Sequence, residues 1–215
     1  MRIGVYGGSF DPVHVGHLIA AECCREQAGL DRVVFVPAAI PPHKQDRRLA
    51  ETDHRVAMLT LAVGGHPAFA VSTVELDRGG LSYTIDTLAD LAARHPHDAL
   101  VLLLGPDSLA QLPTWREPRR ILDRWETLVV ERAGLDDVSA IVREPAVAAM
   151  LGADHATRLV AARVRMPAIG VRSSDLREAV AAGRSIRFRT PRAVEAYIAS
   201  HGLYREPAGG RGASG

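Results

Sequence analysis

Apolar and polar positions follow two regimes along the chain. Continuous apolar runs at 2–5, 32–36, 69–73, 99–104 and 126–130 are each bounded by Asp, Gly or Pro nearby. Such runs predict strands buried on both faces of a parallel sheet. Between them, apolar residues return at three- and four-residue spacing, which predicts helices at 13–28, 52–63, 84–95, 118–123, 144–151, 173–182 and 191–200. Gly29 and Gly183 are the stops of two of these, and Thr52 or Asp53, Ser82 or Thr84, and Ser173 or Ser174 are candidate N-caps. Residues 159–164 and 168–171 add candidate strands, 76–82 a loop, and 37–46 a loop stiffened by three prolines. Strands alternating with helices predict an α/β fold with a doubly wound, Rossmann-like parallel sheet, whose ligands sit at the carboxyl ends of the strands. Residues 1–205 are expected to form one domain, helical from about 173, and the Gly-rich stretch 206–215 a disordered tail.

The first predicted corner between strand and helix carries the densest chemistry. Gly7 and Gly8 can break the strand with positive φ, and Pro12 suits a first helical turn. His14 and His17, three residues apart, fall on one face of that turn, and Gly16 between them lets a bulky group approach the backbone. Unpaired amides and the helix dipole converge on the same volume, so the corner is an anion site that suits phosphate. A zinc half-site is disfavoured because no third ligand is spaced nearby. Ser9 beside His14 lacks a nucleophile-elbow pattern, and the dinucleotide and Walker glycine patterns are absent. Asp11 reads as a turn or capping residue, since a carboxylate would repel a polyphosphate.

A second corner opens the helix at 173. Ser173, Ser174 and the free amides there suit phosphate oxygens, and Arg177 is one turn in. Taken alone it is an ordinary capped helix with an exposed Arg. Four further positions offer recognition chemistry. Trp115 presents a flat face to an aromatic ring, and Tyr83 and Thr84 open a helix whose amides can bind a carboxylate. Asp107 follows Gly105 at a strand end and can accept ribose hydroxyls, while Arg132 stands at another strand end.

Composition changes this picture little. The length of 215 residues suits one α/β domain, and 47% hydrophobic content supports a core. No apolar run approaches the ~20 residues that span a bilayer, and no leader pattern is present, so a cytoplasmic protein without membrane contact is expected. Cys23 and Cys24 are adjacent in a predicted helix and read as reduced. Net charge is +1, but residues 158–192 hold nine arginines against Asp175 and Glu178. That is a solvated basic face or an attractor of polyanions. Lys44 is the only lysine.

The string from Val5 to Leu18 resembles the G-G-[ST]-F-D-P-x-H-x-G-H-L signature of the nucleotidylyltransferase superfamily. Residues 171–177 resemble that superfamily's I-S-S-T-x-I-R motif, with Arg172 standing where a serine is usual. The stretches 35–44, 82–88, 104–109, 112–115 and 130–134 are similar to the bacterial nicotinate-mononucleotide adenylyltransferase family, with Thr114 where a lysine is frequent. The resemblance runs from Arg2 to about Ile198 and is weakest between 135 and 165. It implies adenylyl transfer from ATP to nicotinate mononucleotide, with Mg²⁺ carried by the ATP phosphates and no protein metal site. It implies His14, His17, Lys44 and Arg177 as catalytic residues, and Gly8, Ser9, Phe10, Gly16, Gly105, Asp107, Ser173 and Ser174 around ATP. Trp115 would stack on the nicotinate ring, with Tyr83, Thr84 and Arg132 near its carboxylate. Rival readings are a relative that uses nicotinamide mononucleotide or phosphopantetheine, and a nucleic-acid-binding module with an inactive site. Against the module, Phe188 is the only aromatic within 158–192. Oligomeric state is left open, a homo-oligomer included.

Overall fold

The computed structural model describes residues 1–40 and 49–205. Lys44, the rest of 41–48 and the tail at 206–215 lie outside the described residues. In chain order the elements are β1 (Arg2–Gly8), α1 (Val15–Gln27), β2 (Arg32–Pro37), α2 (Thr52–Val63), β3 (Phe69–Val71), α3 (Val74–Arg78), α4 (Thr84–Arg94), β4 (Ala99–Leu104), α5 (Pro106–Gln111), α6 (Pro118–Arg124), β5 (Glu126–Arg132), α7 (Val138–Ile141), α8 (Pro145–Ala161), β6 (Arg163–Met166), α9 (Ser173–Ala181) and α10 (Arg192–Ser200). A 3₁₀ turn, Leu112–Thr114, follows α5.

The six strands pair in parallel in the order β3-β2-β1-β4-β5-β6. This is the doubly wound order in which the chain reverses direction between β1 and β4, and ligands collect in the crevice that opens there. β4 shows why the strands read as unbroken apolar runs. Leu100, Leu102 and Leu104 pack into a core with α4, α5, α6 and α8, while Val101 and Leu103 face a second core with α1, α2, α9 and α10. Alternate side chains serve opposite faces, so no position is left for a polar residue.

Several expected elements shift. Residues 159–161 finish α8, and the last strand is Arg163–Met166, whose Arg163 and Arg165 alternate with buried Val164 and Met166. Residues 168–171 form no strand, so α9 follows an irregular segment instead. Part of the predicted 76–82 loop is α3, five residues long. Pro12 lies in a turn before the N-cap His14, not in the first helical turn. The N-cap of α2 is Glu51 and that of α4 is Tyr83. Thr52 Oγ1 instead accepts from Arg55 Nη2 at 3.1 Å, and Ser82 Oγ accepts the Ala39 N–H at 2.9 Å. No described helix is long and apolar enough to cross a membrane.

Candidate functional site

The first corner is built from the end of β1. Gly7 and Gly8 stay in register with Val36 and Pro37 of β2 and do not take positive φ. The left-handed residue is Phe10, at φ 45. The sheet holds the two glycines extended, so the chain turns one step later than the sequence suggests. Gly8 serves packing instead: a Cβ there would sit 3.1 Å from Phe10 Cζ. Phe10 is fully buried, with its ring edge-on to His17 and Phe35 at centroid distances of 5.2 and 5.8 Å. It can therefore offer a ligand only its backbone. Ser9 presents its carbonyl to Arg55 Nη1 at 3.1 Å.

The imidazoles of His14 and His17 stack, with centroids 3.7 Å apart and planes at 25°. His14 is 7% exposed, and its buried Nδ1 has no hydrogen-bond partner among the described residues. Burial lowers its pKa to about 4, helped by the charge of Arg132 and opposed by that of Asp175. His14 is thus neutral near pH 7. The expectation for Gly16 changes in detail, since a Cβ there would lie 3.0 Å from His14 Nδ1. The glycine makes room for the imidazole itself.

The second corner lies directly against the first. Ser173 Oγ donates to the Pro12 carbonyl at 2.9 Å, and Arg177 Nη1 donates to the Asp11 carbonyl at 2.6 Å. Ser173 therefore does not cap α9. The N-cap is Arg172, with no side-chain cap bond, and Ser174 Oγ donates to Asp175 Oδ1 at 3.1 Å. Thr190 Oγ1 donates to the Val13 carbonyl at 2.8 Å, and the Val15 N–H to that of Arg189 at 3.0 Å. The imidazoles and the guanidinium thus share one edge of the sheet.

Gly105 follows β4, the neighbour of β1, and is the N-cap of α5. Asp107, exposed in the first turn of α5, is close enough for its charge to act on Arg132. Tyr83 and Thr84 open α4, and the Arg116 guanidinium lies 5.0 Å from the Tyr83 ring centre. Arg116 also reaches Asp86 at 3.5 Å, which sets the half-buried Trp115 beside the start of α4. Arg132 is not an open cation. Its Nε and Nη2 bond Asp136 at 2.6 and 2.8 Å, and this pair raises its pKa.

The structure also shows two groups that the sequence did not single out. Asp11, read as a turn residue, is 1% exposed, and its Oδ1 accepts from the Tyr204 hydroxyl at 2.6 Å and the Ala50 N–H at 3.3 Å. Arg55 is equally buried, and its guanidinium binds the carbonyls of Ser9, Ala39 and Ala50. A polar residue inside an apolar helical stretch was the available signal for Arg55, because a buried guanidinium must be paired. In the basic segment, Arg187 and Arg192 pair with Glu195 at 3.9 and 3.0 Å, which spends part of its charge locally.

A parallel sheet of this order, with an amide-and-imidazole corner and a guanidinium corner joined at its switch point, defines a nucleotide-binding protein of the doubly wound class. The cytidylyltransferase-like family model matches residues 5–179. The probable nicotinate-nucleotide adenylyltransferase of Thermomicrobium roseum is 45% identical over 210 residues, covering 95% of this chain and 92% of its own. That of Thermus thermophilus is 42% identical over 205 residues, covering 95% and 100%. The chain belongs to the cytidylyltransferase-like family, among its nicotinate-nucleotide adenylyltransferases. The fold also matches the solved Plasmodium falciparum nicotinic acid mononucleotide adenylyltransferase complexed with NaAD, with TM-score 0.73 and 18% identity over 94% of this chain and 97% of that one.

Proposed function

We propose that the chain transfers the adenylyl group of ATP to nicotinate mononucleotide, giving the deamido dinucleotide and pyrophosphate in NAD biosynthesis. The observation that carries this reading is the junction of the two corners through Ser173 to Pro12 and Arg177 to Asp11. It brings imidazoles, helix amides and a guanidinium close together, the donor set that a triphosphate requires.

The acceptor's 5′-phosphate oxygen bonds to the α-phosphorus, the bond from that phosphorus to the bridging oxygen breaks, and the electron pair leaves on pyrophosphate. The acceptor phosphate is already ionised near pH 7, so no general base is required. The protein aligns two anions and stabilises charge moving onto the leaving group. In this reading His17 donates to an α or bridging oxygen, and His14, kept neutral by burial, lies alongside. Arg177 and the first turn of α9 hold the β- and γ-phosphates. Lys44 belongs to the same reading through the family resemblance. Gly8, Ser9, Phe10 and Gly16 line the phosphate corner by backbone, with Gly105 and Asp107 near the ribose. Trp115 stacks on the pyridine ring, and the amides at Tyr83 and Thr84 take its carboxylate, with Arg132 held close by Asp136.

Among the described residues no group of three His, Cys, Asp or Glu side chains could hold a metal. The donor set fits phosphate oxygens; in this reading a divalent cation, Mg²⁺, would be carried by ATP and would supply charge to offset its phosphates.

Pyrophosphate release across a panel of acceptor phosphates tests the function. Turnover with nicotinate mononucleotide, well above nicotinamide mononucleotide and phosphopantetheine, is expected. Preferred turnover with phosphopantetheine, or salt-steep binding of single-stranded RNA without ATP binding, overturns it.

A further inference from the structure

Asp11 is a buried junction between distant parts of the chain. Its carbonyl accepts from Arg177 Nη1 at 2.6 Å, and the same nitrogen lies 3.7 Å from its Oδ2. Oδ2 is buried without a hydrogen-bond partner among the described residues. Oδ1 takes the Tyr204 hydroxyl at 2.6 Å, the shorter of its two bonds. Tyr204 follows α10, lies beyond the 5–179 span of the family model, and is held at φ 62. A bulky residue in that region is strained, and such strain persists where the surroundings impose it. Burial and the neighbouring carboxylate raise the Tyr204 pKa, so its hydroxyl stays a donor.

We propose that Tyr204 is a positioning residue for adenylyl transfer, acting through Asp11 on Arg177. The Tyr204 hydroxyl holds Oδ1 and fixes the rotation of the carboxylate. Arg177 is then tied through Nη1 to the Asp11 backbone, and in the proposed function its remaining N–H groups are left for the triphosphate. Without the hydroxyl, Oδ1 keeps only the longer Ala50 bond and the carboxylate is free to turn toward Arg177. A closer ion pair would draw the guanidinium onto Asp11 and away from the phosphates. The inference rests on the reading of Arg177 as a phosphate ligand.

The test is steady-state kinetics and thermal melting of the full chain carrying Tyr204→Phe, Arg177→Lys, or both. Tyr204→Phe is expected to lower kcat/KM for ATP about tenfold, the order one charge-assisted hydrogen bond supplies. KM for nicotinate mononucleotide should stay within about twofold, and Tyr204→Phe should cost nothing further in the Arg177→Lys background. A lower Tm with unchanged kinetics makes Tyr204 purely structural and overturns the inference. Multiplied losses in the double variant overturn it too, because Tyr204 would then act independently of Arg177. If Arg177→Lys itself leaves ATP kinetics unchanged, the reading of Arg177 fails and the inference with it. If Arg177→Lys is impaired while Tyr204→Phe is not, only the inference fails.

Discussion

The Nδ1 of His17 accepts the backbone N–H of His14 at 3.2 Å. An amide can only donate, so neutral His17 carries its proton on Nε2. The backbone thereby selects the tautomer that makes Nε2 a donor. A preorganised donor to charge that develops in the transition state is worth roughly 3 kcal/mol. His17→Ala should therefore lower kcat about a hundredfold or more while far-UV circular dichroism stays native. A folded variant with near-normal turnover removes His17 from the chemistry.

Gly16 gives a cleaner separation of activity from stability. A helical position favours alanine over glycine by up to about 1 kcal/mol, and Gly16 is half-buried in the first turn of α1. An alanine methyl there, however, would sit 3.0 Å from His14 Nδ1. Gly16→Ala should leave Tm unchanged or raised while kcat falls about tenfold, since small displacements of a positioned group are costly. Kinetics and melting on one preparation decide it; full activity would show that the imidazole position is unimportant.

His14 should make the fold acid-sensitive. Its folded pKa of about 4 lies below the ordinary 6.5, so the native state binds fewer protons than the unfolded chain between those values. Stability is then complete above pH 6.5 and declines as pH falls toward 4, by up to about 3 kcal/mol from this group. Urea unfolding at steps from pH 7.5 to 4 should show that decline, and His14→Gln should flatten it. An unchanged slope in His14→Gln assigns the acid sensitivity elsewhere.

In the proposed function, recognition of the acceptor divides between Trp115 and Arg132. Trp115→Ala should raise KM for nicotinate mononucleotide at least tenfold more than KM for ATP, since base–aromatic stacking is worth roughly 1–3 kcal/mol. Equal effects on both substrates contradict stacking. Arg132→Ala should narrow the preference for nicotinate over nicotinamide mononucleotide, measured as the ratio of kcat/KM. A ratio unchanged by the substitution leaves Arg132 as the partner of Asp136 alone.

The sheet was legible wherever burial on both faces left no room for polar residues, as in the apolar run of β4. It was not legible at β6, where Arg163 and Arg165 point outward from an edge and the apolar end of α8 mimics a strand. The two corners proposed to hold phosphate could be picked out because the glycine, histidine and arginine spacing in each is local. The contacts that join them could not. Ser173 looked like a cap but bonds Pro12 at a separation of 161 residues, and Asp11 looked like a turn residue but meets Tyr204 at 193. Local patterns expose what a residue prefers to do within its own turn; a partner from the far end of the chain overrides that preference without leaving a periodic trace. Arg132 illustrates a milder case, since Asp136 lies only four residues on, beyond the strand, and yet takes the guanidinium in two bonds.

The same separations bear on how the protein comes into being. The imidazoles are translated early, whereas the groups that clamp their loop, Ser173, Arg177, Thr190 and Tyr204, emerge late. A ribosome-tethered chain halted before residue 173 carries the histidines without their clamp. On the proposed function, such a nascent polypeptide should lack the assembled triphosphate site, which forms only once the late clamp residues have left the ribosome.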